Sequence, residues 1–494
     1  TCWCLPRLSL SGWPFEVWAP AKGLIVDYIS TRGQDGPLKF EQTLLSGLAR
    51  DGGLYLPVEW PKFSSTEIAG MRNLSYAQLA GRIMAPFCDG EIDESELAAM
   101  AGAAYAGFDH PSIAPLVQLD DTIHILELFH GPTIAFKDYA MQFLARVFDR
   151  ALSNKNQHAV ILGATSGDTG SAALEAFQGR GTVDIFILFP DGRVSPVQQR
   201  QMTSVIADGA HAVSVRGDFD DCQAIVKTLF NDLEFRDKIN LSAVNSINWA
   251  RLMPQIVYYF SSALALGAPD QKVAFSVPTG NFGNVFAGYA AARMGLPIER
   301  LIVASNQNDI LTRFFEAGTM TRETVVPSLS PSMDIQVSSN FERLLFEMLD
   351  RDGEKTKLMM DDFSASGQFI LEATVMERAR SLFTAYRTDD SGTIAEIAST
   401  AKNDGIVLDP HSAVGLSAAR RARADGIVAS DVPLVSLACA HPAKFETAVE
   451  AATGTSPTLP THMADLMARP EQIRTVAADS EAVKALVLAQ KRSS

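Results

Sequence analysis

The sequence contains few cysteines, no dense basic run and no long apolar stretch, and each absence argues against a class of protein. Five cysteines in 494 residues are an odd number and are widely spaced apart from Cys2 and Cys4, so neither a disulfide framework nor a CxxC zinc pattern is present. Such sparse use fits a reducing cytoplasm. Lysine and arginine total 42 against 57 acidic residues and are scattered along the chain, which makes nucleic acid a poor candidate partner. No segment approaches the roughly 18 consecutive apolar residues of a membrane span, so we expect no membrane partner.

The first 25 residues mix proline, tryptophan and glycine without the period of a helix or a strand. They lack the basic start and the unbroken apolar core of a secretory signal. We therefore expect residues 1–25 to form an irregular N-terminal extension that carries no chemistry.

Short apolar runs alternate with helix-like segments from about residue 158, a pattern typical of a parallel sheet covered by helices. Residues 62–107 and 340–425 are mainly helical in pattern, and the Ser/Pro-rich segment 326–334 is expected to be a loop. The strand candidates are 159–164, 183–189, 212–217, 241–246, 272–278 and 301–306. This order predicts α/β architecture, in which ligands bind at strand-to-helix turns.

The stretch GATSGDTGSAA at 163–173 follows a strand candidate and opens a helix-like segment. Its small residues, hydroxyls and free backbone amides suit an anion at a helix N-terminus. A P-loop is excluded because Asp168 stands where that motif needs lysine, and the glycine spacing does not match a dinucleotide-binding fingerprint. A plain turn, with Asp168 or Ser166 capping the helix, is the alternative.

The stretch SVPTGNFGNVFAG at 276–288 has the same order of strand, glycine-rich turn and helix. Gly280 and Gly283 would let the backbone approach a ligand closely, while asparagine side chains offer donors and tolerate unusual dihedral angles. Two such turns predict two anionic groups, such as a phosphate and a carboxylate. A purely structural turn is again the alternative.

Lys137 lies between Phe136 and Asp138 in the largely apolar stretch 128–148. Desolvation of a lysine in such a setting favours the neutral amine, which Schiff-base chemistry requires. The alternative is a lysine that extends to solvent or pairs with a carboxylate near a helix start. The two turns described above favour the first interpretation.

These three stretches, in this order, resemble the threonine synthase family of the bacterial and yeast type. The resemblance extends over nearly everything after residue 26, through YISTRG (28–33), GLARDGGLYLP (47–57), NSINWARLMPQIVYYF (245–260), PSMDIQVSSNFERLLF (331–346), DPHSAVG (409–415) and AHPAKF (440–445). It implies the tryptophan-synthase-like architecture called fold type II, with pyridoxal 5'-phosphate (PLP) as the cofactor. It also implies conversion of O-phospho-L-homoserine and water to L-threonine and phosphate. We expect the protein to be a monomer or a homodimer.

The implied organisation is two α/β domains with parallel-rich sheets and a small N-terminal domain. The expected bounds are 1–25 for the extension, 26–110 for the N-terminal domain, 111–150 with 256–494 for the large PLP-binding domain, and 151–255 for the small domain.

Residue by residue, the resemblance assigns the Schiff base to Lys137. It assigns the cofactor phosphate to the loop that contains Gly280, Asn281, Phe282 and Asn284. It assigns the substrate carboxylate to the turn formed by Ser166, Gly167, Asp168 and Thr169. Cys439 departs from the family pattern, because the family usually has a threonine there whose hydroxyl lies beside the pyridine nitrogen, and a thiol is a weaker hydrogen-bonding partner.

The implied reaction requires carbanions that no side chain can stabilise, so PLP would supply the electron sink. Lys137 would serve both as covalent anchor and as general acid and base. The departing phosphate needs cationic or amide donors, and Asn248 and Arg251 are the candidates. A helix cap and a surface ion pair are the alternatives for these two residues.

His130, His411 and His441 lie in motif-rich stretches but not at metal-ligand spacing, so we predict no metal site. Two other functions remain open. A PLP-dependent lyase that releases ammonia and a keto acid from phosphorylated or hydroxy amino acids by β-elimination would share the fold and Lys137. A non-catalytic homologue that binds a phosphorylated metabolite is the third reading, although Lys137 and both anion turns argue against it.

Overall fold

The computed structural model describes residues 26–492, so the predicted extension at 1–25 lies outside the described residues. The strands, in chain order, are β1 (Tyr28–Ser30), β2 (Tyr55–Pro57), β3 (Leu116–Gln118), β4 (Ile123–Glu127), β5 (Ala159–Ala164), β6 (Val183–Pro190), β7 (Ala210–Arg216), β8 (Leu241–Ser242), β9 (Val273–Pro278), β10 (Ile298–Ser305), β11 (Thr319–Thr321), β12 (Gln368–Ile370), β13 (Phe383–Arg387), β14 (Leu434–Ala438) and β15 (Arg474–Ala477). The helices are α1 (Phe40–Ser46), α2 (Ser65–Gly70), α3 (Tyr76–Cys88), α4 (Glu94–Tyr105), α5 (Lys137–Asn154), α6 (Asp168–Phe177), α7 (Pro196–Thr203), α8 (Phe219–Asn231), α9 (Leu233–Ile239), α10 (Trp249–Ala265), α11 (Gly283–Arg293), α12 (Ile310–Ala317), α13 (Phe341–Met348), α14 (Gly353–Ser366), α15 (Ala373–Leu382), α16 (Asp390–Asn403), α17 (Pro410–Ala424), α18 (Glu446–Thr453) and α19 (Ser480–Gln490). No helix among the described residues is both long enough and apolar enough to cross a membrane.

The larger sheet has six strands in the order β13-β10-β9-β14-β4-β3. Its strands are parallel except β3, which pairs with β4 in the antiparallel sense. Strands β9 and β14 are buried along their whole length, as expected for a parallel sheet with helices on both faces. Helix α11 covers one face and helix α17 covers the other.

The second sheet has five parallel strands in the order β15-β7-β6-β5-β8. Helices α5 and α6 lie on one face, and α8 and α19 lie on the other. The α/β class with parallel sheets, predicted from the alternating pattern, is confirmed. The candidate strand 241–246 is wrong beyond Ser242, because the chain there turns towards Asn248, which caps α10.

The C-terminal part of the chain lies elsewhere than its expected bounds. Strand β15 pairs with β7, with Arg474 opposite Val213, and α19 packs against α8. The last segment therefore belongs to the five-stranded sheet, whereas the expected bounds place all of 256–494 in the large domain. The physical reason is that β15 covers the otherwise open edge of β7 and α19 buries part of the apolar face of α8.

The first part of the described chain packs against α10 and α5. Strands β1 and β2 form an antiparallel pair, and α3 packs on α4 and α10. The rings of Tyr28 and Phe87 lie 5.9 and 5.4 Å from the ring of Trp249 at the start of α10. These aromatic contacts pack the N-terminal region against α10.

The two sheets bring several strand ends close together. Strands β4, β14 and β9 are neighbours and parallel, so their carboxyl ends lie side by side. From these ends the chain continues towards Lys137, Cys439 and Gly280 respectively. From the carboxyl end of β5 it continues to Asp168. The turns that the sequence analysis singled out thus lie together at the carboxyl ends of the strands. Ligands bind at this edge in open α/β sheets.

Candidate active site

Lys137 is the first residue of α5, and hydrogen bonds fix the loop before it to the segment after β14. The Phe136 amide donates to the carbonyl oxygen of Cys439 at 2.8 Å, and the His441 amide donates to that of Ile134 at 3.0 Å. Lys137 and Cys439 are therefore held at the same end of the larger sheet.

The amine of Lys137 faces the second sheet. Its Nζ atom lies 3.5 Å from Oδ2 of Asp168, and the side chain is 14% exposed. Burial lowers the pKa of Lys137, Asp168 opposes this effect, and the positive charges of Lys444 and Arg251 lower the pKa further. The net lowering favours the neutral amine, which is the form that attacks a carbonyl carbon.

Asp168 begins α6 and is bound on its other oxygen by two donors. Oδ1 accepts hydrogen bonds from Nζ of Lys444 and from Nε2 of Gln198, both at 2.8 Å. Burial alone would raise the pKa of Asp168, but Lys444 and Lys137 outweigh it and hold that pKa well below its usual range. Because an ionised carboxylate has no hydrogen-bond donor, the Asp168 side chain cannot bind a substrate carboxylate, and within this turn only the amides and hydroxyls could bind one.

The turn before α6 leaves some donors exposed. Gly167 has a φ of 144°, and a Cβ atom there would come within 2.4 Å of the Gln198 side chain, so the position requires glycine. Oγ1 of Thr165 accepts hydrogen bonds from the Gly167 and Gly170 amides at 3.0 and 2.9 Å. The helix has no side-chain cap, Ser166 is exposed, and Thr169 is half-buried. The Gly170 amide is occupied by Thr165, so a small anion would bind the amides of Asp168 and Thr169 and the two hydroxyls.

The turn between β9 and α11 has an unusual backbone and an uncapped helix start. Phe282 has a φ of 62°, in the left-handed region, and no side chain caps the helix. Oγ of Ser338 donates to the Gly280 carbonyl at 2.6 Å, and Nδ2 of Asn340 donates to the Asn281 carbonyl at 2.9 Å. These bonds fix the loop through its carbonyl groups. They leave the first-turn amides of α11 available to an anion.

Asn284 carries an unused donor in this turn. Its Oδ1 atom accepts hydrogen bonds from the hydroxyls of Tyr258 and Tyr259 at 2.6 and 3.0 Å. Its Nδ2 atom is buried and has no partner among the described residues. A buried amide N–H without an acceptor is costly, so this atom indicates that a ligand with hydrogen-bond acceptors belongs here.

Cys439 lies directly after β14 and is buried. Its amide donates to Oγ of Ser412 at 2.9 Å, and Ser412 in turn donates to the carboxylate of Asp409. Its Sγ atom has only a weak contact with the Leu437 carbonyl at 3.9 Å. Burial raises the pKa of the Cys439 thiol well above its usual value, Asp409 adds to this, and Lys137 opposes it. The thiol is therefore neutral.

The two candidates for the leaving phosphate differ in the structure. Asn248 caps α10 through its Oδ1 atom, and its Nδ2 atom donates to the Leu44 carbonyl at 2.9 Å, so the helix-cap alternative applies to it. Arg251 is buried, and its guanidinium donates to the Val244 carbonyl at 3.0 Å. Its Nε atom has no partner within the described residues, and no carboxylate there pairs with it. The surface ion-pair alternative for Arg251 is wrong, because burial removes it from the surface.

Within residues 26–492, no group of three or more histidine, cysteine or acidic side chains is arranged to hold a metal ion. The His130 ring lies between Asp109 and Glu127, at 2.7 and 2.8 Å, and the His411 ring bonds to Asp409 at 2.8 Å. The histidines in the motif-rich stretches thus make hydrogen bonds inside the protein.

Four residues that the sequence reasoning did not single out contribute to the site. Lys444 and Gln198 bind Asp168, and the tyrosine pair on α10 orients Asn284. Lys444 lies in the AHPAKF motif, which was noticed for its resemblance alone. Its burial could not be predicted from the motif, because the partner carboxylate of Asp168 lies at the start of α6, which packs on the second sheet.

Comparisons with known proteins agree with this arrangement. The sequence families described as "Threonine synthase N terminus", "Pyridoxal-phosphate dependent enzyme" and "Threonine synthase, C-terminal" match residues 27–105, 109–440 and 412–487. The threonine synthase of Pseudomonas aeruginosa is 50% identical over 461 residues, which cover 93% of this chain and 97% of that protein. The chain belongs to the threonine synthase family. The threonine synthase of Schizosaccharomyces pombe is 42% identical. The match covers 86% of this chain and 89% of that protein.

Solved structures of threonine synthases have the same fold. The PLP-bound enzyme of Brucella melitensis superimposes with a TM-score of 0.92 at 52% identity, covering 95% of this chain and 100% of that chain. The yeast enzyme gives a TM-score of 0.90 at 38% identity, with coverage of 95% and 99%. Membership of this family makes the chain a PLP-dependent lyase of threonine biosynthesis. The site fits that cofactor, because it combines a desolvated lysine, an uncapped helix start and the unpartnered amide of Asn284.

Proposed function

We propose that this chain converts O-phospho-L-homoserine and water to L-threonine and phosphate, with Lys137 as the residue that holds the cofactor. The observation that carries the proposal is the partly buried amine of Lys137 at the junction of the two sheets, 3.5 Å from Asp168, with a pKa lowered by desolvation. When bound, PLP supplies an electron sink for the carbanions that this conversion requires.

The phosphate of the cofactor would lie at the start of α11. The first-turn amides and the helix dipole favour negative charge there, and Nδ2 of Asn284 supplies a further donor. This loop consists of Gly280, Asn281 and Phe282. Ser338 fixes it by a hydrogen bond to the Gly280 carbonyl. Cys439 would face the pyridine nitrogen as a neutral partner.

Lys137 would move protons during the reaction. Once substrate binds, its amine would take the proton from Cα as a general base. It would have to release that proton before it could take one from Cβ, and it would later return a proton as a general acid. A lowered pKa suits this exchange, because an amine held permanently as ammonium could not accept a proton. Asp168 holds the amine in place through the 3.5 Å contact.

The substrate has two anionic ends, and the site offers one set of donors for each. Ser166, Gly167 and Thr169 surround the uncapped start of α6, which suits the carboxylate. Arg251 has a buried guanidinium with no carboxylate partner in residues 26–492, and its charge lowers the pKa of Lys137, so we assign to it the phosphate that leaves from Cγ. Asn248 is left out of this assignment because it caps α10.

The three described cysteines are unpaired, which is consistent with a reducing cytoplasm.

The decisive experiment is product analysis with purified full-length protein and added PLP. We expect O-phospho-L-homoserine to yield threonine and inorganic phosphate in equal amounts. Release of ammonia and a keto acid without threonine would instead establish the β-elimination lyase. Absence of any product, while PLP is bound, would favour the non-catalytic homologue.

A further inference from the structure

Lys444 is a buried lysine whose side chain is 0% exposed and which joins three parts of the site. Its Nζ atom lies 2.8 Å from Oδ1 of Asp168, and it donates to the Thr133 carbonyl at 2.8 Å. Thr133 in turn holds Asp138, the neighbour of Lys137, through hydrogen bonds of 2.6 and 2.9 Å. Lys444 therefore connects the start of α6 to the loop that positions Lys137.

Two lysines share the one carboxylate of Asp168. Lys444 occupies Oδ1 at 2.8 Å, while Lys137 lies farther away, 3.5 Å from Oδ2. A carboxylate this close to a single lysine would favour the charged ammonium form. Because Lys444 neutralises the carboxylate, Lys137 faces a pair of nearly zero net charge.

Burial and the positive charges around Lys137 also disfavour its ammonium form. The charged or titratable groups that influence it are Asp168, Lys444, Arg251 and the thiol of Cys439. Among the charged groups, only Asp168 favours the ammonium form, and its charge is offset by Lys444. Burial disfavours the ammonium form as well.

We propose that Lys444 is a positioning residue that engages Asp168, offsets its charge and so disfavours the ammonium form of Lys137. This inference rests on the proposed function, since a neutral Lys137 matters because it holds the cofactor. It concerns the protein's own charges, however, so it can be tested on the full chain before PLP is added.

The test measures the pH at which Lys137 becomes reactive towards acetic anhydride, with the labelled peptide quantified by mass spectrometry. Replacing Lys444 by methionine removes its charge and leaves Asp168 to act on Lys137 alone. We expect the midpoint for Lys137 to rise by about one pH unit or more. Lys444→Arg retains the charge and should bring the midpoint back towards that of the unmodified chain. Lys155, exposed at the other end of α5, is the internal reference and should not change.

Asp168→Asn supplies a second test with the opposite sign. It removes the carboxylate and keeps the positive charge of Lys444, so the midpoint for Lys137 should fall. An unchanged midpoint in folded Lys444→Met protein would overturn the inference. If that variant does not fold, a midpoint that stays constant or rises in Asp168→Asn overturns it. If both midpoints shift as expected but PLP does not attach to Lys137, the inference stands and the proposed function fails.

Discussion

The thiol of Cys439 occupies a position where the resemblance implies a hydroxyl. Burial and Asp409 raise the pKa of this thiol, and its strongest described contact is weak, at 3.9 Å from the Leu437 carbonyl. A ring nitrogen facing this side chain would therefore meet a neutral group of low polarity. In this environment a neutral polar side chain of similar size is tolerable, while a charged one is not.

Cys439→Thr should accordingly bind PLP at least as tightly as the natural chain, because a hydroxyl hydrogen bond contributes on the order of 1 kcal/mol. Cys439→Asp should weaken binding about tenfold or more, since it buries a carboxylate near Asp409. The measurement is fluorescence titration of the cofactor-free chain with PLP. Equal affinity in all three proteins would mean that Cys439 does not face the ring.

Individual site residues were predictable from the sequence only where a local motif contained them. Lys137 and the loop around Asn284 stand in recognisable stretches next to strand ends, and the structure brings both to the same edge of the larger sheet. Lys444 could not be assigned, because its role depends on Asp168, 276 positions earlier in the sequence and on the other sheet. Asn248 shows the reverse error, since a polar residue at a helix start was a cap.

At the scale of elements, the turn between β9 and α11 depends on close backbone packing. A Cβ atom on Gly280 would lie 2.6 Å from the carbonyl oxygen of Ser332. Backbone atoms cannot move away as the end of a flexible side chain can, so the loop itself would have to shift. The same loop is tied to Ser338 through the Gly280 carbonyl. A shift would move the helix start that we propose for the cofactor phosphate.

Gly280→Ala should therefore lower the free energy of unfolding by about 1–3 kcal/mol and weaken PLP binding. Gly102→Ala is the matched control, because the nearest atom to its new Cβ is 3.8 Å away and the residue lies within helix α4. The control should be neutral or stabilising by up to about 1 kcal/mol. Urea unfolding and PLP titration of both variants test this. Identical behaviour of the two would show that the loop can adjust at no cost.

Strands were predictable where an apolar run ends in a glycine-rich or polar turn. The candidate 159–164 coincides with β5, and 272–278 differs from β9 by one residue. Strands β4 and β14 were not predicted. The buried run of β14 has no alternation of apolar and polar residues, so periodicity alone does not distinguish it from a helix segment. Its place between β9 and β4 follows from long-range pairing.

At the scale of the whole molecule, one largely buried cluster joins the N-terminal region to helix α13. The guanidinium of Arg32 binds both carboxylate oxygens of Glu342, at 3.0 and 3.1 Å, and the Thr31 hydroxyl donates to the same group at 2.6 Å. Glu342 lies on α13, more than 300 positions away in the sequence. Such a bidentate pair adds geometric specificity to the contact.

Glu342→Gln should destabilise the protein by about 1–3 kcal/mol, because the amide group of glutamine would face an arginine donor and leave part of the charge unpaired. Glu377→Gln on the exposed side of α15 is the control and should change stability by less than about 0.5 kcal/mol. Thermal and urea unfolding of both variants give the comparison. A Glu342→Gln variant as stable as the control would show that the aromatic contacts alone hold this region.

The domain organisation could be predicted in outline, but the place of the C-terminal segment could not. The α/β class follows from the alternation of apolar runs and helix-like segments, and the N-terminal region follows from the resemblance. The return of β15 and α19 to the five-stranded sheet could not be predicted, because β15 is a short edge strand that is only partly buried. Its pairing is set by the open edge of β7, which the local sequence does not reveal.

The central claim is that Lys137 carries the cofactor. The direct measurement is borohydride reduction of the PLP-loaded full chain, followed by peptide mass spectrometry and by absorbance in the visible range. We predict one pyridoxyl adduct, on Lys137, with loss of the adduct and the absorbance in Lys137→Ala and their retention in Lys155→Ala. An adduct on another lysine, or an unchanged spectrum in Lys137→Ala, would contradict the account.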